Sequence, residues 1–362
     1  MKKIIAVLTS VILALSVAVF PADSAVEDTP SVSAHSAVLI DLASKNVLFS
    51  KNKDEKMGMA STTKIMTALV AAENFDLDRT VRIASEAVGV EGSSIYLHEG
   101  EKLTMEELLY ALLLQSANDA ATAIAIAVAG STERFADMMN ERARQMGLVN
   151  TSFTNPHGLS DDNHYTTAHD LAVITAHALE NETVREIVST YKKNIPIDSE
   201  CNPRVLVNHN KMLKLYDGSI GVKTGFTKKT GRCLVSAAER EGLTLIAVTL
   251  NAPDDWNDHT KMLDYGFCNY ESLLIADVGS FTYAMPVTGG VEDHVTLTNT
   301  RELRMTVPRE RGEIICRVET FYRFEFAPVM RGREEGYVYY SYGDIAFASS
   351  PLICAETVGR KK

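Results

Sequence analysis

The order of strand-like and helix-like segments is the feature of this chain that most restricts its fold. Two short apolar segments near the start, at 36–41 and 46–50, predict an antiparallel hairpin. Three further strands are predicted at 220–224, 233–238 and 243–250, while the residues between the two groups have mainly helical periodicity. Distant segments must therefore meet in one domain, which predicts an α+β fold: an antiparallel sheet flanked by helices, with a helical subdomain.

The helical part of the chain places several polar residues at helix ends. The apolar periodicity after Ser61 predicts a helix that begins at or near this serine, with Lys64 in its first turn. The segment 104–107 has the pattern of a capping box and predicts the start of another helix. That helix is expected to stop close to Ser116, so that Ser116 and Asn118 lie at the junction of two buried helices. Further helices are predicted at 135–146, 168–179 and 258–267.

The two ends of the chain predict export and a second domain. Met1-Lys-Lys and the uncharged stretch that follows have the basic and apolar regions of a signal peptide, assigned to residues 1–25. If this segment stays uncleaved, it is expected to act as a membrane anchor. The main domain is predicted at 30–277. Residues 278–362 are rich in Thr, Val and Tyr and predict a small all-β domain.

Charge and cysteine content exclude several classes of function. The formal net charge of −11 argues against a nucleic-acid partner, because phosphate binding needs clustered Lys and Arg. Five cysteines leave at least one unpaired, and Cys316 with Cys354 is the pair expected within one small domain. No zinc-like spacing of cysteine is present, so neither a metal nor another cofactor is expected.

Three short motifs carry the chemical signal: Ser61-Thr-Thr-Lys64, Ser116-Ala-Asn118 and Lys223-Thr224-Gly225. Each pattern alone is weak, since 50–53 and 189–192 also fit Ser-x-x-Lys and 44–46 fits Ser-x-Asn. Lys-Thr-Gly occurs only once, however, and the three motifs follow one another in the order known for serine acyl-transfer enzymes. The joint occurrence therefore predicts an acyl-transfer site with a serine nucleophile.

With these motifs the chain resembles the serine-type D-alanyl-D-alanine carboxypeptidases, which are low-molecular-weight penicillin-binding proteins of the peptidase S11 family. The resemblance spans nearly the whole mature chain, and it rests further on Asn155-Pro-His-Gly-Leu and on the segment 164–172. It implies a β-lactamase-like transpeptidase fold and removal of the terminal D-alanine from peptidoglycan stem peptides. It also implies covalent inhibition by β-lactam antibiotics and a location at the cell wall or the outer face of the cytoplasmic membrane.

The resemblance also implies a role for each motif residue. Ser61 would form the acyl-enzyme, and Lys64 would serve as its base because no Ser-His-Asp arrangement is evident. A lysine base has to be neutral, which requires burial or a nearby positive charge. Ser116 would relay a proton to the leaving amine, and Asn118 would bind the substrate amide or orient Lys64.

The strand with Lys-Thr-Gly would bind the substrate. Lys223 would supply the second positive charge and attract the substrate carboxylate, while Thr224 and Gly225 would let an extended peptide lie along the strand edge. The oxyanion hole would consist of the backbone N–H groups of Ser61 and Phe226. Some relatives bind the carboxylate with an arginine after these strands, yet none occurs between 240 and 301. Carboxylate binding is therefore expected from Lys223, Thr224 or a water molecule.

Two other functions stay open from the sequence. A class A β-lactamase shares the three motifs but adds a deacylating glutamate, and the corresponding Glu-x-x-Leu-Asn pattern is absent between Asn118 and Lys223. A catalytically silent wall-binding or antibiotic-sensing protein is disfavoured by the intact Ser61, Lys64 and Lys223. The histidines at 98, 157, 164 and 169 are expected to be structural or surface residues.

Overall fold

The computed structural model describes residues 13–14, 28–197, 200–310, 314–342 and 345–362. The predicted signal peptide lies outside these residues except for a two-residue strand, β1 (Leu13–Ala14), which pairs antiparallel with residues 315–316. The chain divides into two compact units, the first formed by residues 27–267 and the second by residues 268–362 with β1. None of the helices among the described residues is long and apolar enough to cross a lipid bilayer.

The first unit alternates strands and helices in the order that follows. Its elements are β2 (Ser36–Asp41), β3 (Val47–Lys51), a 3-10 helix (Ala60–Thr63), α1 (Lys64–Asn74), β4 (Thr80–Arg82), a second 3-10 helix (Ser85–Ala87), β5 (Lys102–Thr104), α2 (Met105–Leu114), α3 (Asn118–Ala129), α4 (Thr132–Gln145), α5 (Ala168–Glu180), α6 (Glu182–Ser189), β6 (Lys192–Ile197), β7 (Glu200–Val207), α7 (Met212–Leu215), β8 (Ser219–Thr227), β9 (Gly231–Arg240), β10 (Leu243–Leu250) and α8 (Asp255–Asn269).

The main sheet of this unit is antiparallel and has the strand order β3-β2-β10-β9-β8. The N-terminal hairpin thus joins the C-terminal strands through β2 and β10, with Ser36 opposite Leu250 and Asp41 opposite Leu245. Val38, Ile40, Ile246 and Val248 belong to the same buried core as the helices. The predicted α+β architecture is confirmed, because burial of these apolar residues brings the two ends of the domain together.

Helices α1, α2 and α3 are buried along most of their length and support the polar junctions between them. The predicted capping box at α2 is present: Thr104 Oγ1 accepts the Glu107 N–H, and the Glu107 carboxylate accepts the Thr104 N–H. The strands β4 to β7 and the helices α6 and α7 were not predicted. They are short elements, and the β6–β7 strands form a separate two-stranded pair outside the main sheet.

The second unit is all β, as predicted. Its strands are β11 (Tyr270–Ala276), β12 (Thr282–Thr288), β13 (His294–Asn299), β14 (Leu303–Pro308), β15 (Ile314–Thr320), β16 (Glu325–Phe326), β17 (Glu334–Tyr342) and β18 (Ile345–Cys354). Seven strands form one sheet in the order β1-β15-β17-β18-β13-β12-β16, and β11 pairs with β14. The division falls ten residues before the predicted boundary at 277/278, because β11 pairs with β14 and packs on this unit's core.

The expected Cys316–Cys354 disulfide is wrong, since both residues carry free thiols. Cys316 lies opposite Tyr340 on β17, and Tyr340 in turn lies opposite Ala348 on β18. Cys354 is six residues further along β18, an offset of roughly 20 Å in the strand direction. The two cysteines therefore lie on different strands with β17 between them, which is too far apart for a disulfide. Sequence proximity within one small domain does not fix such a register.

Candidate active site

Ser61 lies in the 3-10 helix that leads directly into α1, close to its predicted place at a helix N-terminus. The turn is held by its own hydroxyl groups: Thr62 Oγ1 donates to Met59 O at 2.6 Å and Thr63 Oγ1 donates to Ala60 O at 2.8 Å. Ala60 has a positive φ of 48°, a conformation that non-glycine residues rarely adopt. The surrounding structure therefore has to stabilise this turn.

His164 and Gly158 supply that support from the segment before α5. The Thr154 N–H donates to His164 Nδ1 at 3.1 Å, so the ring carries its proton on Nε2, which lies 2.7 Å from Thr63 Oγ1. Burial lowers the pKa of His164 to about 4 and keeps the ring neutral. A Cβ added to Gly158 would lie 2.0 Å from Ala60 O, so only glycine permits this approach.

Lys64 is fully buried, and its amine is surrounded by three oxygen atoms. Nζ lies 3.0 Å from Ser61 Oγ, 2.7 Å from Asn118 Oδ1 and 2.6 Å from the backbone oxygen of His157. The amide and peptide oxygens can only accept hydrogen bonds, whereas the serine hydroxyl can also donate one. A neutral amine has two N–H groups for the two acceptors and one lone pair for the hydroxyl.

The electrostatics of the site favour this neutral form. Burial lowers the pKa of Lys64 well below its usual range, the positive charge of Lys223 lowers this pKa further, and Asp119 opposes the shift. Lys223 is itself buried, and burial lowers its pKa to about 7. Two buried ammonium groups that interact repel each other, so the site favours the loss of one proton.

Ser116 lies in the short connection between α2 and α3 and Asn118 is the first residue of α3, so both lie at the predicted junction of two helices. Ser116 is buried and has a positive φ of 60°. Asn118 Nδ2 donates to Glu91 O, which directs Oδ1 of the same amide toward Lys64. Gly92 makes room for this amide, because a Cβ there would lie 2.6 Å from Asn118 Nδ2.

Asp119 was not singled out from the sequence, although it organises the loop beside the site. Its buried carboxylate accepts hydrogen bonds from the N–H groups of Ile95 and Leu97 and from Ser94 Oγ. These bonds fix the segment that follows Ser93, a residue that faces the same cavity as Ser61. An aspartate one position after Asn118 carried no pattern that distinguished it from an ordinary first-turn carboxylate.

The edge strand β8 closes the other side of the site. A Cβ added to Gly225 would lie 3.1 Å from both Met59 O and the Ser61 nitrogen, so glycine at this position allows β8 to pass close to the nucleophile turn. Lys223 donates from Nζ to Thr224 O at 2.8 Å. The Phe226 side chain is exposed.

A cavity of about 380 Å³ connects these elements. Of the residues predicted for the site, it is lined by Ser61, Ser116, Thr224, Gly225 and Phe226. Lys64 and Asn118 lie behind Ser61 through the hydrogen bonds described above, and Lys223 acts on the pKa of Lys64. The structure therefore brings together the seven residues that the motifs suggested and Phe226, which the resemblance suggested.

Three basic residues that sequence reasoning missed also line this cavity: His209, Lys211 and Arg232. Arg232 follows the turn between β8 and β9 and donates to Asp255 through Nε at 3.0 Å and Nη2 at 2.8 Å. Its guanidinium also lies 5.9 Å from the Trp256 ring. In the observed pairing of β8 with β9, Arg232 lies opposite Phe226. The strands predicted at 220–224 and 233–238 left out both residues, so the prediction gave no register that could have identified Arg232.

The histidines do not form a ligand set. His157 and His164 are structural, as expected, but both act on the nucleophile: His157 through its backbone oxygen and His164 through Thr63. Within the described residues, no group of three or more His, Cys, Asp or Glu side chains has the arrangement of a metal site.

Comparisons with known proteins show similarity to one family of enzymes. The family model described as D-alanyl-D-alanine carboxypeptidase matches residues 23–254. The D-alanyl-D-alanine carboxypeptidase DacF of Bacillus subtilis is 33% identical over 334 residues, which cover 89% of this chain and 85% of that protein. DacC of Escherichia coli is 31% identical over 355 residues, or 94% of this chain and 87% of that protein.

Solved structures agree with these sequence relatives. Penicillin-binding protein 5 of Haemophilus influenzae superposes with a TM-score of 0.78 at 28% identity, over 92% of this chain and all of that one. The DD-transpeptidase of Streptomyces K15 superposes with a TM-score of 0.63 at 34% identity, over 67% of this chain and 99% of that one. The second similarity covers only two thirds of the present chain, whereas the first covers nearly all of it.

The fold and the site define a serine hydrolase of the penicillin-binding type, with a buried lysine beside the serine. The chain belongs to the D-alanyl-D-alanine carboxypeptidase family, peptidase S11. This confirms the family and the class of enzyme that the resemblance implied, together with the predicted fold class.

Proposed function

We propose that Ser61 attacks the carbonyl carbon of the terminal D-Ala-D-Ala bond of a peptidoglycan stem peptide. The neutral Lys64 amine takes the hydroxyl proton as the new C–O bond forms. The arrangement of oxygens around Lys64 Nζ is the observation that carries this proposal, because it leaves the lone pair for Ser61 alone. The N–H groups of Ser61 and Phe226 stabilise the oxyanion.

The remaining steps follow from the positions of Ser116 and Lys64. Ser116, in the same cavity, gives its hydroxyl proton to the leaving nitrogen and takes the proton that Lys64 received from Ser61, so that D-alanine departs as the C–N bond breaks and Lys64 is neutral again. Water then attacks the ester on Ser61 and releases the shortened peptide, with Lys64 again as the base. A β-lactam acylates Ser61 by the same first step, but its leaving nitrogen stays tethered to the ring.

Arg232 is the proposed partner of the substrate carboxylate, together with Lys223 and Thr224. Asp255 occupies two of its nitrogen atoms, which fixes the guanidinium and leaves Nη1 for another acceptor. An arginine on β9 would thus supply the cation that the sequence between 240 and 301 lacks.

The place of action follows from the substrate. Peptidoglycan lies outside the cytoplasm, and the start of the chain has the pattern of an export signal. Export to the cell wall or the outer face of the cytoplasmic membrane is therefore part of the proposal.

The proposal is tested with diacetyl-Lys-D-Ala-D-Ala and an assay for free D-alanine. We expect release by the unmodified protein and none above background by Ser61→Ala. In a parallel experiment, mass spectrometry should find penicillin covalently bound to Ser61. Equal release of D-alanine by both proteins would refute the role of Ser61, and fast turnover of nitrocefin would favour a β-lactamase instead.

A further inference from the structure

The strand β7 carries an arginine that none of the proposed catalytic steps uses. The side chain of Arg204 is only 10% exposed, and all three of its guanidinium nitrogen atoms have acceptors. Nε donates to Ile95 O at 3.0 Å, and Nη2 donates to Tyr96 O at 3.3 Å. Nη1 and Nη2 both donate to the Glu101 carboxylate. One side chain of the β6–β7 hairpin therefore binds three groups of the segment 91–101, here called the site loop.

Glu101 is the charged partner in this contact, and its side chain is 1% exposed. Burial by itself would raise the pKa of Glu101, but hydrogen bonds from Arg204 and from the His98 N–H bring this pKa below its usual range. The carboxylate is therefore charged at neutral pH. An exposed ion pair contributes little, whereas the loss of one partner from a buried pair leaves an uncompensated charge. The contact between β7 and the site loop is therefore strong.

The site loop needs this support because its backbone is unusual at Tyr96. This residue has a positive φ of 59°, and its side chain is 79% exposed, so side-chain packing does not hold the turn. The preceding residue, Ile95, is bound from two directions. Its N–H donates to Asp119 on α3, and its carbonyl oxygen accepts from Arg204 on β7. Hydrogen bonds from two separate elements thus fix the path of the site loop.

The first residues of the site loop hold Asn118. Ser93 O accepts the Asn118 N–H at 2.7 Å, and Glu91 O accepts a hydrogen bond from Asn118 Nδ2. The second contact determines which way the amide faces, because a bound nitrogen leaves the oxygen for Lys64. An amide turned by 180° would present its N–H groups to Lys64 and would take the lone pair that Ser61 requires. The position of Glu91 O therefore matters for the base.

We infer that Arg204 is a positioning residue for the acylation of Ser61. Arg204 does not line the cavity around Ser61, so it acts through the site loop, which holds the Asn118 amide and thereby the amine of Lys64. This inference rests on the roles proposed for Ser61 and Lys64. A purely structural arginine would affect only the free energy of unfolding, whereas a positioning residue also changes the acylation rate of the folded protein.

The test measures the second-order rate constant for acylation of the full chain by penicillin, with urea unfolding of each variant alongside. Arg204→Gln removes the charge and most of the contacts with the site loop. Arg142→Gln is the matched control, because Arg142 also binds a glutamate, Glu73, through two nitrogen atoms at 2.8 to 3.1 Å. That pair joins α4 to α1 and does not touch the site loop. Arg204→Lys keeps the charge but offers a single nitrogen atom.

We expect acylation of Arg204→Gln to be roughly tenfold slower than that of the unmodified chain, and Arg142→Gln to react at the unmodified rate. Arg204→Lys should recover part of the loss, since it still pairs with Glu101. The decisive comparison is a double-mutant cycle with Asn118→Ala. In a chain without the Asn118 amide, Arg204→Gln should cause no further loss of rate, because the group that the site loop positions is gone.

A folded Arg204→Gln variant that is acylated as fast as the unmodified chain would overturn the inference. The same conclusion follows if Arg204→Gln slows acylation by the same factor with and without the Asn118 amide, since the effect would then not pass through Asn118. If urea unfolding shows that Arg204→Gln is not folded in the assay, Arg204→Lys takes its place in the cycle. Failure of penicillin to acylate the unmodified chain would instead refute the proposed function, and the inference with it.

Discussion

Asn118 Oδ1 accepts a hydrogen bond of 2.7 Å from Lys64 Nζ, and both side chains are buried. An amide oxygen can satisfy an amine without stabilising its charged form as strongly as a carboxylate would. This contact therefore allows the proposed base to be both fixed in position and neutral.

Asn118→Asp tests this relationship with almost no change in shape. The added negative charge should raise the pKa of Lys64 and slow acylation by penicillin roughly 100-fold at neutral pH, with recovery at higher pH. The measurement is the second-order acylation rate constant across pH. Asn118→Ala is the control, since it removes the hydrogen bond without adding charge and should slow acylation without the alkaline shift. Identical pH profiles for both variants would contradict this account.

The pH dependence of acylation should report both buried lysines. Lys64 has to be neutral, so the rate should rise with pH as this residue loses its proton. Lys223 has to be charged to attract the carboxylate, and its pKa is lowered to about 7, so the rate should fall as pH rises above that value.

Lys223→Gln separates these two effects. Loss of the Lys223 charge removes one cause of the lowered pKa of Lys64. The pH at which the acylation rate rises should therefore be higher in this variant. The fall near neutral pH should disappear, and KM for the peptide should increase. Lys223→Arg keeps the charge and serves as the control. An unchanged profile in Lys223→Gln would show that Lys223 acts on neither step.

Arg232→Gln should raise KM for a peptide with a free terminal carboxylate by roughly 10- to 100-fold and leave kcat nearly unchanged. A peptide that ends in a carboxamide should show the same KM with both proteins, because it offers no charge to bind. Lys229→Gln, on the turn between the same two strands, controls for a general change in charge. If carboxylate and carboxamide peptides lose affinity equally, Arg232 has no role in charge recognition.

Gly158→Ala should destabilise the nucleophile turn by at least about 2 kcal/mol, because the new methyl group would meet Ala60 O. Gly89→Ala is the matched control: its φ is also positive, at 73°, but nothing lies within 4 Å of the added Cβ. That substitution should lower the free energy of unfolding by only about 1 kcal/mol, because it adds backbone strain alone. Urea unfolding measures both free energies, and equal losses would mean that the contact with Ala60 is unimportant.

Asp119→Ala should lower the free energy of unfolding by about 3 kcal/mol, since it leaves the N–H groups of Ile95 and Leu97 without their acceptor. Asp119→Asn keeps one acceptor oxygen and should therefore lower the free energy of unfolding by a smaller amount. Thermal unfolding compares the two variants. A loss that is larger for asparagine than for alanine would contradict this explanation.

The sequence by itself predicted the fold class and the family, and it singled out seven motif residues and Phe226 that the structure brings together. Ser61 and Lys64 are only three positions apart on one turn, and the Lys-Thr-Gly segment lies on a strand whose apolar neighbours require burial. Such local patterns can be read along the chain, because spacing alone fixes which side chains share a face.

Only the tertiary structure decided the contacts that make these residues a site. The direction of the Lys64 amine depends on His157 O, far along the chain, and the shape of the Ser61 turn depends on Gly158 and His164. The register of β8 and β9 places Arg232 at the cavity. The register of β15 and β17 likewise separates Cys316 from Cys354. These features arise from packing between distant segments, and packing depends on three-dimensional distances that no local spacing encodes.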